Sequence, residues 1–130
     1  MGGQMHRSKL CGFIIDCQGD DLPGAAAFWS GALGMPTREF AGTEGDSYVR
    51  LLDGQHGLHI EVQRVGHASR VHLDIEADDI EAEVRRLEGL GARRVAQIRT
   101  WWVMEAPTGQ RFCVVRQSSP DFDAKASRWP

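Results

Sequence analysis

The chain has 130 residues, 42% hydrophobic and 25% charged, a composition ordinary for globular domains and unlike that of disordered chains. One compact domain, residues 1–130, is expected, large enough to bury a core without disulfide or structural-metal staples. Fifteen Lys and Arg against eighteen Asp and Glu give a net charge of −3, with no basic stripe to grip a phosphate backbone, so nucleic acid is not an expected partner.

The uncharged stretch Leu10 to Ile15 is too short for a signal-peptide core or a membrane span. Residue 6, where a myristoylation signal needs Ser or Thr, is His6. The expectation is therefore a cytoplasmic protein with no membrane partner. The three cysteines point the same way, being odd in number. Cys11 and Cys17 lie on one predicted strand, roughly 20 Å apart, and cannot bridge each other. They read as small buried apolar side chains.

In chain order, residues 10–17 predict a strand. Asp20, Asp21 and Pro23 then start a helix that Gly34 and Pro36 stop, with Phe28, Trp29, Ala32 and Leu33 as its apolar positions. Strands are predicted near 37–40, 47–52 and 57–65, the last two split by the Asp53-Gly54 turn signal. After Gly66 to Ser69 the order repeats. A strand at 71–77 precedes a helix capped by Asp78 or Asp79, with Ile80, Val84 and Leu87 on one stripe. Strands follow near 94–99, 101–105 and 111–116, with Pro107-Thr108-Gly109 in a turn. Leu33-Gly34 and Leu90-Gly91 match at an offset of 57, and Asp16 and Asp74 at 58, the mark of a duplicated β-α-β-β-β unit. The modules span about 10–65 and 70–116, leaving a polar C-terminal tail, 117–130.

Strand alternation sorts side chains by face. At 71–77 the apolar set Val71, Leu73, Ile75 and Ala77 is expected on the helices, with His72, Asp74 and Glu76 opposite. At 57–65 Leu58, Ile60 and Val62 face the helices, with His59, Glu61 and Gln63 opposite. At 10–17 Phe13, Ile15 and Cys17 face them, with Gly12, Ile14 and Asp16 opposite. An antiparallel sheet can simply wet such a polar face. Tyr48, Trp101, Trp102 and Phe112, at strand positions, supply aromatic surface for an organic ligand instead, whereas Phe28, Trp29 and one of Trp101 and Trp102 are expected in the core. His6, His56 and His67 are expected at the surface.

Phe28-Trp29 with Leu33-Gly34, Val62-Gln63-Arg64-Val65, Arg70-Val71-His72-Leu73-Asp74 and Trp102-Val103-Met104 with Ala106-Pro107-Thr108-Gly109-Gln110-Arg111-Phe112-Cys113 together resemble the vicinal oxygen chelate superfamily of glyoxalase I, bleomycin resistance proteins and extradiol dioxygenases. The resemblance covers roughly residues 10–116. It implies an α+β fold of two β-α-β-β-β modules forming curved mixed sheets around a cavity, and a homodimer. It also implies metal ligands on four strands. His72 falls on the second-half histidine position and Glu61 on a glutamate position, but Gly12 stands at the first-half histidine position and Cys113 at the final glutamate position. The usual Asp before the turn proline is Ala106. Two standard ligands are too few for a catalytic metal, so no cofactor is the expectation. A degenerate site of His72, Glu61 and Cys113 holding zinc, nickel, manganese or iron is the alternative.

Two functions follow as expectations. One is a small-molecule-binding protein that sequesters an aromatic or cationic ligand against Tyr48, His59, Trp101, Trp102 and the carboxylates Glu61, Asp74 and Glu76. The other is a lyase, isomerase or dioxygenase of the same superfamily, working through the degenerate metal site or through His72 with Glu61 or Asp74 as an acid–base pair. A partner-binding module without a small-molecule role is a third reading, for which no helix-groove motif stands out.

Overall fold

The computed structural model describes residues 5–130, and two β-α-β-β-β runs follow one another in it. The first is β1 (His6–Gln18), α1 (Leu22–Leu33), β2 (Thr37–Glu39), a 3₁₀ turn (Gly42–Asp46), β3 (Tyr48–Leu52) and β4 (His59–Val65). The second is β5 (Arg70–Ala77), α2 (Ile80–Gly89), β6 (Arg93–Ile98), β7 (Trp101–Glu105) and β8 (Arg111–Arg116), followed by α3 (Phe122–Lys125) and β9 (Ser127–Trp129). The α+β class and mixed sheet expected from the sequence are present. The chain divides into two units, Gly12–His72 and the remainder on either side of it. The cuts fall inside β1 and β5, so each of these strands serves both units.

In the Gly12–His72 unit the strands run β2-β3-β4-β1, antiparallel except for the parallel pair β1–β4. One face packs Ile15, Val49, Leu51, Ile60 and Val62 against Leu22 and Ala26 of α1. The period of two in each strand produces this face directly. Asp21 caps α1 by accepting from Gly24 N at 3.0 Å, Pro23 sits in its first turn, and Gly34 closes it in the left-handed conformation.

The face that α1 buries differs from the expectation. Leu22 and Ala26 are buried with Trp29 packed against them, while Phe28 is 63% exposed and Leu33 42%. The helix has no charged residue to mark its wet side, so its apolar spacing fits several faces and does not select one. Phe28 instead meets Trp29 edge to face, 5.0 Å between centroids.

The other unit has the strand order β1-β5-β8-β7-β6, with β9 on the free side of β1. Its core joins Ala77, Met104 and Val114 to Val84 and Leu87 of α2, which Asp79 caps. Ile75 and Ala77 pack inward as expected. Val71 and Leu73, at 58% and 51% exposure, do not. Alternation assigns a side of the sheet but does not ensure that a helix covers it.

Residues 117–130 are ordered into α3 and β9 here. Phe122 is buried, and β9 pairs Trp129 with His6 and Ser127 with Ser8. His6, expected at the surface, is consequently buried. Its Nε2 meets Glu83 Oε1 at 2.8 Å, Ser8 Oγ donates to Glu83 Oε2 at 2.7 Å, and Trp129 Nε1 donates to Ser8 Oγ at 2.8 Å. Arg86 completes the knot, forked onto Glu83 and stacked 3.8 Å from the Trp129 ring centroid.

Candidate functional site

The side of the Gly12–His72 sheet away from α1 is polar and is ordered by strand register. Leu52, His59 and Gly12 form one cross-strand row, Arg50, Glu61 and Ile14 the next, and Tyr48, Gln63 and Asp16 the third. This is the polar set that alternation predicts for β1 and β4, now extended by β3. His72, at the boundary of the same unit, joins it through Asp16.

The best-defined group is that pair. His72 Nδ1 lies 2.8 Å from Asp16 Oδ2, and Arg70 Nε stands 3.7 Å from the same oxygen. Asp16 is only 2% exposed. A carboxylate solely accepts, so Nδ1 is the nitrogen that donates to it, and a neutral ring in this contact is the Nδ1–H tautomer. Asp16 thereby fixes the tautomer and orientation of the imidazole. In the adjoining rows His59 Nε2 is bonded to Glu61 Oε2, and Gln63 donates to the Tyr48 hydroxyl at 2.9 Å. On this face Asp16 Oδ1 and Arg50 Nε are shut from solvent without a hydrogen-bond partner among the described residues.

Gly12 has a structural reason to be glycine. A Cβ there would stand 1.9 Å from the His59 carbonyl oxygen, so neither histidine nor any other side chain fits without moving β4.

The second unit places the other expected residues. Asp74 stands opposite Cys113 in the parallel β5–β8 ladder, and alternation along β5 puts His72 on the same side as Asp74. His72, Asp74 and Cys113 are the group, among the described residues, whose donor atoms suit a metal ion. An imidazole nitrogen, a carboxylate oxygen and a thiolate are three donors, a set that fits zinc better than manganese. Glu61, the ligand implied by resemblance, is instead bonded to His59. Trp102 packs on the core and lies under Arg94, 4.9 Å from its ring centroid. Trp101 alternates to the other side, the one that carries Cys113 through its pairing with Val103.

Glu76, counted as a charge for a ligand, is fully buried. Burial alone would push its carboxyl up, but hydrogen bonds from Ser119 Oγ, the Ser118 and Ser119 amides and Lys9 outweigh that and hold it below the usual range. It anchors the segment leading to α3. The groove of about 1040 Å³ beside α1, lined by Ala26, Ser30, Glu39, Phe40, Val49 and Arg64, touches none of the expected site residues.

Sequence reasoning had placed Asp16 on the polar face without a partner and had not singled out Arg50 or Arg70. Arg50 was legible as the polar residue between inward Val49 and Leu51. Arg70 was not, because only the strand order brings it to Asp16.

Comparison with known proteins agrees with this architecture. No curated protein matches the sequence. The structure is similar to methylmalonyl-CoA epimerase from Mycobacterium tuberculosis, with a TM-score of 0.62 and 16% identity over 89% of this chain and 93% of that one. It is equally similar to a hypothetical protein from Bacillus halodurans, with a TM-score of 0.62 and 12% identity over 86% and 96% of the two chains. These likenesses establish the fold alone. The model of the glyoxalase-like domain matches residues 12–115, bearing out the superfamily resemblance, and the chain therefore belongs to the glyoxalase-like domain family.

Proposed function

We propose that the chain is an enzyme of small organic molecules that moves a proton on the polar face of the Gly12–His72 unit, with His72 as the acid–base group and Asp16 as its positioning residue. The observation that carries this reading is the 2.8 Å contact between His72 Nδ1 and a carboxylate that is almost wholly buried. Such a carboxylate orients the ring and stabilises the imidazolium that forms when Nε2 takes a proton. The His59–Glu61 pair on the same face is a second proton-holding group, and Tyr48 and Gln63 supply ligand contacts. The cytoplasm, whose reducing conditions suit cysteines that form no disulfide among the described residues, is the proposed compartment, and a homodimer the proposed assembly.

Sequestration of an organic cation is less well supported by the geometry. Asp16 is engaged by His72 and Arg70, Glu61 by His59 and Glu76 by Ser119 and Lys9. A second enzymatic reading is favoured by the His72, Asp74 and Cys113 group: these residues would hold a divalent metal such as zinc, which would polarise a substrate oxygen.

One assay separates these readings. Deuterium incorporation from D2O is followed in a panel of acyl thioesters and α-hydroxy carbonyl compounds, beginning with methylmalonyl-CoA, for chelator-treated and zinc-supplemented protein. The dyad reading predicts exchange into at least one compound without added zinc, reduced roughly 10²–10⁴-fold by His72→Gln and strongly by Asp16→Asn. Exchange that persists in His72→Gln would contradict it, and exchange that requires zinc and is lost in Asp74→Asn and Cys113→Ser would establish the metal reading.

A further inference from the structure

Arg50 is the feature of this face that the acid–base reading leaves unused. Arg50 lies in the middle of β3, where Val49 and Leu51 enter the core and Tyr48, Arg50 and Leu52 take the opposite side. Its row neighbour is Glu61, the natural partner for a guanidinium, yet Glu61 is bonded to His59. Of the other arginines nearby, Arg70 meets Asp16 and Arg64 the Asp46 carbonyl, while Arg38 of β2 stands directly opposite Arg50 in the ladder. Arg50 Nε is closed off from water and has no hydrogen-bond acceptor. A buried guanidinium nitrogen without an acceptor is costly, and native proteins rarely keep one without a use.

The geometry points to Arg50 as the anchor for a carboxylate carried by the ligand, which makes the substrate class an organic acid. A guanidinium presents parallel N–H donors that match the two oxygens of a carboxylate, which a point charge such as lysine cannot reproduce. The row spacing supports the assignment. Arg50 is two strands away from Asp16 and one row along, roughly 12 Å between Cα atoms for ideal strand spacings. An acid whose carboxylate is held by the long Arg50 side chain can thus place a carbon a few bonds further on beside the His72 ring. Charge supports it as well, since the carboxylates Asp16 and Glu61 already have basic partners and Arg38 sets a second guanidinium opposite Arg50, so this end of the row favours a negative group. The assignment rests on the reading of this face as the ligand site.

The test uses the whole chain and malonate as probe, with choline as the cationic control and inorganic phosphate to separate a carboxylate site from a general anion site. Binding is followed by amide chemical-shift changes in wild type, Arg50→Gln and Arg50→Lys, with melting curves to confirm folding. The expected result is saturable malonate binding with shifts at Tyr48, Arg50 and Gln63. Affinity should fall roughly tenfold or more in Arg50→Gln, as loss of a charge-assisted bidentate contact requires, and be partly kept in Arg50→Lys. Equal affinity in wild type and Arg50→Gln, preference for choline, or no saturable malonate shift would overturn the assignment, and phosphate binding more tightly than malonate would overturn the carboxylate specificity. Failure of the acid–base reading looks different: malonate binding still depends on Arg50, but no compound exchanges its proton.

Discussion

At Gly12 the absence of a side chain is imposed by β4, because a Cβ would lie 1.9 Å from the His59 carbonyl oxygen and 2.6 Å from its carbon. Both are backbone atoms and cannot rotate away. Gly12→Ala is therefore expected to lower stability by about 2 kcal/mol, in the range for overpacked interiors, measured as a shift in the urea midpoint; an unchanged midpoint would show that the strands separate freely. Cys11 follows the sequence expectation of an inert buried thiol. Burial pushes it up to about 12, and the charges of Glu76 and Asp74 add to the effect, leaving no thiolate for chemistry at neutral pH. His72 and Glu61 were legible as site candidates because alternation along a strand is local. Their partners Asp16 and His59 were legible only as face-mates, since the hydrogen bond that joins His72 to Asp16 spans 56 positions in sequence.

Among the elements, those with local punctuation were the easiest to read. Asp21 and Asp79 cap the helices that their positions predict, and Gly34 stops the first one. The buried face of α1 was misjudged because an uncharged helix gives no contrast between its sides, and burial of Val71 and Leu73 was overestimated because nothing local shows where a helix ends its cover. The C-terminal segment could not be read at all, for its fit depends on Glu83 receiving His6, Ser8 and Arg86 while Trp129 stacks over the arginine. This knot makes stability depend on pH. Burial alone would raise the Glu83 carboxyl, but Arg86, His6 and Ser8 outweigh it and hold it below the ordinary value of 4.5, and Glu76 is lowered similarly by Ser119, Ser118 and Lys9. A carboxyl lowered in the folded state contributes stability that is complete above its unfolded pKa and disappears as pH falls through the folded one. Stability should thus begin to fall near pH 4.5 and continue downward, and Glu83→Gln should be less stable at neutral pH with a shallower acid limb in urea titrations. An identical acid limb in the variant would show that Glu83 is not its source.

For the molecule as a whole, the duplicated order of elements was the most readable feature, visible in Leu33-Gly34 against Leu90-Gly91 before any coordinate. Repetition of a supersecondary unit leaves a trace at a fixed offset, whereas pairing between strands distant in sequence leaves none. That difference explains why the α+β class and the polar face followed from the sequence while β9, the Glu83 knot and the approach of Arg70 to Asp16 had to be seen. It also separates fold from chemistry, since one fold hosts many reactions and only the site distinguishes them. The central claim is that a buried Asp16 sets the state of His72. Long-range ¹H–¹⁵N correlation of the imidazole nitrogens tests it most directly, in wild type and in Asp16→Asn. The account predicts that neutral His72 is the Nδ1–H tautomer in wild type and shifts toward Nε2–H when Asp16 becomes an amide. An Nε2–H ring in wild type, or a tautomer that ignores the substitution, would contradict it.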